Sequence, residues 1–308
     1  MSDTAIRLSG VTKTFTGHTA VRALSLAIPR GSVFGLLGPN GAGKTTTLRM
    51  VMNILGPDAG TIAILGQPAD HAARDRIGYM PEERGLYPRM VLEEQLLFLS
   101  DIKGCRRALA VSRLGPWLER LGLADWRKKK VNELSKGMQQ KAQFIATVLH
   151  DPDVLILDEP MSGLDPVGMD VMREVLLDLK RQGKTLVLSS HQMETVERLC
   201  DRVALINKGE KLLDGAVAEV KRQHGNNTLV LAFDGDGSFL ATLPEVAKVS
   251  DFGRYVDIRM REGADPQAIL REAAARLRVS RFEIVEPSLH DIFVESVKAH
   301  GEVEVGIQ

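Results

Sequence analysis

The stretch Val33-Phe-Gly-Leu-Leu-Gly38-Pro-Asn-Gly-Ala-Gly43-Lys44-Thr45-Thr46 decides the fold. Its first five residues form a short continuous apolar run, the pattern of a strand covered on both faces. The next eight fit G-x-x-x-x-G-K-[ST] in full, and a helical pattern follows to about Leu55. Strand, glycine-rich turn and helix are the context this motif demands. Glycines let the backbone curl so that successive N–H groups face an anion, and the helix adds the positive end of its dipole. Gly38, Pro39, Asn40, Gly41, Ala42, Gly43, Lys44, Thr45 and Thr46 are therefore candidate phosphate-binding residues. Lys44 reaches β- and γ-phosphates, and Thr45 offers its hydroxyl to Mg²⁺. Two unit charges 4 Å apart are worth about 4 kcal/mol at an effective dielectric of 20, which favours a polyphosphate over a neutral ligand.

A second run, Val154-Leu-Ile-Leu157, ends in Asp158 and Glu159. Open α/β sheets bind ligands at the carboxyl ends of their strands. Asp158 suits Mg²⁺ held beside the phosphates. Glu159, on the other side of the strand, suits a general base for an attacking water, a role worth about 10²–10⁴-fold in rate.

Outward from these runs, Ile6–Val11, Ala23–Ile28, Thr61–Leu65, Arg76–Met80, Thr185–Ser189 and Val203–Ile206 read as strands, and Val171–Lys180 and Met193–Cys200 as helices. Residues 91–148 read as mostly helical. Alternating strands and helices predict an α/β fold, a P-loop core with a largely parallel sheet and an inserted helical subdomain at about 83–150. A polar, turn-prone stretch at 223–227 places a boundary near 220. Beyond it, strands at 228–233, 255–260 and 281–285 and helices at 266–277 and 289–297 predict a small C-terminal α+β domain. The expected organisation is 1–220, 221–300 and a frayed tail at 301–308.

The chain has 308 residues, 44% hydrophobic and 26% charged, with 40 basic and 40 acidic side chains. That is enough apolar material for two domains and excludes disorder as the main state. Residues 1–220 carry a net +3 and residues 221–308 a net −3, so neither part has a nucleic-acid footprint. The densest basic patch, Arg127-Lys-Lys-Lys130, lacks interleaved aromatics and reads as a solvated loop face. No apolar run approaches the roughly 18 residues of a membrane span, and no secretory signal is visible at the N-terminus. Cys105 and Cys200 form neither a disulfide framework nor a zinc motif, and read as idle thiols in a reducing compartment.

Together these residues resemble the nucleotide-binding subunits of ATP-binding-cassette (ABC) transporters over about residues 4–220. Leu134-Ser-Lys-Gly-Met-Gln-Gln-Lys141 resembles the family's signature peptide, with Lys136 and Met138 departing from its glycine and glutamine and with Ser135 and Gly137 retained. Ser162-Gly-Leu-Asp-Pro166 resembles its D-loop and Ser189-Ser-His191 its switch histidine. Phe15 stands where the family stacks an aromatic ring on adenine, and Glu82 replaces the expected Q-loop glutamine. The segment ending in Glu286-Pro-Ser-Leu-His-Asp-Ile-Phe293 resembles the C-terminal extension of a bacterial exporter-type subgroup.

The resemblance implies an ATPase that powers transport, in the export direction, through separate integral membrane permease subunits. It implies ATP and Mg²⁺ as ligands and a homodimer, or a pair with an equivalent ATPase subunit, that sandwiches two ATPs head to tail. Ser135, Gly137 and Asp165 would then act across the interface, Glu159 would polarise water, His191 would contact the γ-phosphate, and Thr45, Glu82 and Asp158 would stand at the metal. The chain would sit peripherally on the cytoplasmic side of the membrane, with Leu86, Tyr87 and Met90 as candidate permease contacts or ordinary core residues. A soluble relative acting on ribosomes or DNA is the first alternative, against which stand the single cassette and the lack of sustained heptads. A partner that binds ATP without cleaving it is the second, against which stand Lys44, Asp158 and Glu159.

Overall fold

The structure, a computed structural model, describes residues 3–69, 75–83, 85–224, 228–261 and 263–305. It divides into two compact units, 1–216 and 217–308. The first runs β1 (Thr4–Phe15), β2 (His18–Pro29), β3 (Val33–Leu37), α1 (Lys44–Val51), β4 (Ala59–Ile64), β5 (Gln67–Pro68), β6 (Ile77–Met80), α2 (Leu92–Ile102), α3 (Arg107–Arg120), α4 (Lys136–Val148), β7 (Val154–Asp158), α5 (Pro166–Arg181), β8 (Thr185–Ser190), α6 (Met193–Leu199), β9 (Arg202–Asn207) and β10 (Glu210–Ala216). The second runs α7 (Val217–Gln223), β11 (Thr228–Asp234), β12 (Val246–Asp251), β13 (Val256–Met260), α8 (Pro266–Arg276), β14 (Arg278–Val285) and α9 (Leu289–Val305).

The central sheet of the first unit has the order β10-β9-β3-β8-β7-β6. Every pairing is parallel except β10 with β9, as the apolar runs predict. All residues of β3, β7 and β8 are buried. The opening strands do not join this layer. They form a separate antiparallel sheet, β2-β1-β4-β5, whose alternating apolar residues cover one face of the central sheet. Ile6, Leu8, Leu24, Leu26, Ile62 and Ile64 form one core with Phe34, Leu36, Ile156 and Val187, and with Leu48, Met50 and Val51 of α1. Each such side chain contributes about 1.5–3 kcal/mol on burial, and the core therefore clamps α1 and the loop before it.

Helix α1 stops at Val51 rather than near Leu55. Asn53 takes a left-handed φ of 50°, and the Asn53 and Ile54 N–H groups bond the carbonyls of Met50 and Arg49, closing the helix. Helix α5 starts at Pro166 with Asp165 as its N-cap, and it buries Met172, Val175, Leu176 and Leu179 at helical spacing. Helices α2, α3 and α4 lie between β6 and β7 in sequence and pack on one another.

The basic run at 127–130 is solvated at Lys128, Lys129 and Lys130, while its main chain and Arg127 are tied to the start of α2. Arg127 and Lys128 both pair with Glu93, and the main chain at 127–132 bonds that of residues 88–93. The paired charges hold the Glu93 carboxyl down at about 2, chiefly through its hydrogen bond to Arg127.

In the second unit an antiparallel sheet, β12-β13-β11-β14, packs Leu229, Leu231, Ile258 and Met260 against Ile269 and Ala273 of α8. Helix α9 continues to Val305, past the Val297 expected from its pattern, because no proline interrupts it. Residues 225–227 of the expected linker and 306–308 of the expected tail lie outside the described residues.

Candidate functional site

The phosphate loop spans the gap between β3 and α1, and backbone conformation dictates its glycines. Gly43 has φ 104° and caps α1, and a Cβ there would lie 2.4 Å from the carbonyl oxygen of Ala20. Gly41 has φ 80°, but a Cβ there would meet nothing within 4 Å. Gly43 is thus needed for fit, whereas Gly41 keeps open the cleft it lines. The Lys44 ammonium is buried and donates to the carbonyls of Gly38 at 2.7 Å and Pro39 at 3.1 Å. Burial lowers its pKa, while Glu159, Asp158 and Glu82 pull the other way.

A cleft of about 500 Å³ opens on this loop. Phe15, Asn40, Gly41, Ala42, Gly43, Lys44, Thr45, Thr46, Glu82, Asp158 and Glu159 line it, joined by His18 and Ala20, which sequence reasoning did not single out. Gly38 and Pro39 take part through the carbonyls that hold Lys44. Phe15 is exposed, with the Lys13 ammonium 5.8 Å from its ring centre.

The two acids are locked by β8. The Ser189 hydroxyl donates to Asp158 Oδ1 and accepts the Glu159 N–H at 3.1 Å. Glu159 Oε1 accepts from the His191 N–H at 3.0 Å and lies 2.8 Å from His191 Nδ1. Among the described residues Oε2 has one hydrogen-bond partner, the Ser190 hydroxyl at 3.5 Å. Glu159 is buried yet adopts a left-handed φ of 50°, a conformation that costs a non-glycine residue about 1–3 kcal/mol and clusters at functional sites.

Among the described residues Asp158 Oδ2 is buried with no hydrogen-bond partner. An orphaned carboxylate oxygen beside the Thr45 hydroxyl loop is a donor set of hard oxygens, which fits Mg²⁺. Among the described residues no group of three or more His, Cys, Asp or Glu could hold a metal ion alone, so phosphate oxygens and water would complete its shell.

The other expected residues stand outside the cleft lining. Ser135 caps α4, accepting the Met138 N–H at 3.2 Å. A Cβ on Gly137 would lie 3.0 Å from the Gly163 carbonyl oxygen, so this glycine also lets the 162–166 loop pack against α4. The Asp165 carboxylate is used within the chain, accepting the Gly168 N–H at 2.9 Å. Tyr87 is exposed and Leu86 and Met90 are half-buried, with the Tyr87 ring 6.4 Å from that of Phe98. Cys200 is buried against Gly35, and burial pushes its thiol pKa up.

A parallel α/β sheet, a glycine loop opening a helix and paired acids at the neighbouring strand end define a P-loop nucleoside triphosphatase. Residues 21–162 match the ABC transporter family, and residues 215–297 match the C-terminal domain of DrrA1-3-like ATP-binding proteins. The chain is 43% identical to the ABC transporter ATP-binding protein YhaQ of Bacillus subtilis, over 96% of this chain and 99% of that one. It is 34% identical to the Nod factor export ATP-binding protein I of Rhizobium sp. (strain N33), over 96% and 97% of the two chains. A solved ATP-binding subunit of an ABC transporter superposes with a TM-score of 0.67 at 30% identity, covering 72% of this chain and 93% of that one. The chain belongs to the family of ABC transporter ATP-binding proteins. It is an ATP-binding, ATP-hydrolysing subunit of the kind that works with membrane permease subunits.

Proposed function

We infer that this subunit drives export, working as a head-to-tail pair of ATPase subunits docked on the cytoplasmic side of membrane permeases. One observation carries the reading: the phosphate loop, Asp158 and a Glu159 fixed by His191 converge on one cleft. No helix among the described residues is long and apolar enough to cross a membrane, which fits a peripheral subunit. The exposed Tyr87, beside half-buried Leu86 and Met90, supports a permease contact there. The export direction is supported by relatives named Nod factor export ATP-binding proteins.

In this reading Phe15 stacks on the base at the mouth of the cleft. The amides of residues 41–46 and the dipole of α1 hold the phosphates, and Lys44 exchanges the carbonyls of Gly38 and Pro39 for phosphate oxygens. Asp158 Oδ2, Thr45 and Glu82 would hold Mg²⁺, which when bound supplies positive charge at the β- and γ-phosphate oxygens. Glu159 Oε1 is occupied by His191, so Oε2 is the oxygen that takes the proton of the attacking water. His191, anchored through Nδ1, presents Nε2 toward the γ-phosphate. Ser135 and the first turn of α4 supply donors and a positive dipole end to the ATP held by the opposing subunit. Gly137 and Asp165 lie at that same interface, and Asp165 links the two sites. ATP binding closes the pair and hydrolysis releases it.

The test is purification of the chain with a polytopic membrane protein and measurement of phosphate release with and without Mg²⁺. The reading predicts a stable complex and Mg²⁺-dependent release. Capture on ribosomes, or nucleotide binding without release, would replace it with one of the two alternatives.

A further inference from the structure

Helix α4 opens at Ser135 and carries two buried glutamines, Gln140 and Gln143, three residues apart and so on one face. Gln140 Nε2 donates to the carbonyls of Glu159 at 3.1 Å and Pro160 at 3.2 Å. Gln143 Nε2 donates to the carbonyls of Pro81 at 2.8 Å and Glu83 at 3.4 Å, the two that flank Glu82. An amide nitrogen has two hydrogens, and each of these is matched to two main-chain acceptors. Among the described residues Gln143 Oε1 is buried without a hydrogen-bond partner, so this side chain's hydrogen bonds are those its Nε2 donates to the two carbonyls.

The helix packs behind both loops. A Cβ on Gly78 of β6 would lie 2.4 Å from the Thr147 carbonyl oxygen, so α4 rests directly on the strand that leads to Glu82. On the other side Gln140 grips the residue with the left-handed φ, and such a conformation persists only where its surroundings over-determine it.

We propose that Gln140 and Gln143 are positioning residues for ATP hydrolysis, tying the Glu159 turn and the Glu82 loop to the helix that begins at Ser135. Whatever engages the start of α4 thereby sets both acids of the cleft together. The assignment rests on the reading of Glu159 and Glu82 given above.

The experiment uses the full-length chain with Mg²⁺ and ATP, and compares wild type, Gln143→Met, Glu82→Ala, the double variant and Gln140→Met. Methionine keeps the volume and removes the donor. In Gln143→Met and Gln140→Met, kcat falls by about tenfold or more, as expected when catalytic groups are displaced, while ATP affinity stays within about twofold because the phosphate loop is untouched. In the Glu82→Ala background, Gln143→Met lowers kcat by less than about twofold further, since the effect runs through that loop. A merely structural role would give multiplicative losses in the double variant, or affinity falling with kcat, and either result overturns the proposal. Should Gln143→Met fail to fold, Gln143→His, which keeps one ring donor, is expected to retain more kcat than Gln143→Ala, and equal loss in both counts against the proposal. A wild type that turns over while both Met variants match its kcat overturns the positioning assignment alone. A wild type that releases no phosphate refutes the underlying reading instead.

Discussion

Two glycines of one loop separate folding from ligand binding. Alanine at Gly43 must accept a φ of 104° and a Cβ 2.4 Å from the Ala20 carbonyl oxygen, whereas alanine at Gly41 accepts a φ of 80° with nothing within 4 Å. The left-handed backbone alone costs about 1–2 kcal/mol. The overlap at Gly43 adds about 1–3 kcal/mol, the usual range for overpacking. Gly43→Ala is therefore expected to lose about 3.5 kcal/mol and Gly41→Ala about 1.5 kcal/mol. For a unit of this size those losses lower the Tm by about 10 °C and about 4 °C. Both variants should lose nucleotide, Gly43→Ala because α1 moves and Gly41→Ala because its methyl projects into the cleft. Thermal unfolding and equilibrium titration with a fluorescent ATP analogue read the two effects separately. The reasoning fails if Gly41→Ala melts as low as Gly43→Ala, or if it binds the analogue as wild type does.

Burial, aided by the nearby Lys103, pushes the His150 imidazole down from the ordinary 6.5 to about 4. The unfolded chain then binds the extra proton first, so this contribution is complete above pH 6.5 and is lost as pH falls toward 4. It amounts to about 3 kcal/mol at most. Relative to His150→Leu, wild type should lose up to about 3 kcal/mol of unfolding free energy as pH drops from 7 to 4, and parallel curves would contradict the assignment. Ser135→Arg should bind ATP as a monomer with roughly wild-type affinity yet fail to pair, and sedimentation in ATP showing wild-type dimer would refute the cross-subunit role of α4.

The centre of the fold was legible because its signals are local. The run 33–37, the glycine loop and the start of α1 each follow from neighbouring residues, and so does Asp158 at the end of an unbroken apolar strand. Strands β10 and β12 were not legible, since only Gly215 and Val246 in them are buried and no alternation marks them. The separate antiparallel sheet was hidden for another reason. Three of its four strands, all but the short β5, were visible, but which layer they join depends on packing against residues far along the chain.

In the site, the loop and the acids could be read, while the groups that hold them could not. Gln140 and Gln143 look like the polar side of an amphipathic helix, and their burial makes sense only once carbonyls 19 to 62 residues away are in place. The clue available was a pair of glutamines at helical spacing on a face that also carries Phe144 and Thr147. Ser189 was read only as the end of a strand and the start of the peptide that carries His191. Its hydroxyl, which joins Asp158 to the Glu159 main chain, is a tertiary contact between two parallel strands.

The most direct test is the state of Glu159→Gln in Mg²⁺ and ATP, read by sedimentation together with phosphate release. The glutamine amide can still occupy the place of the carboxylate but cannot take the proton of the attacking water. The account predicts a two-copy particle retaining uncleaved ATP, with release about 10²-fold or more below wild type. A monomer that turns ATP over at the wild-type rate would contradict it.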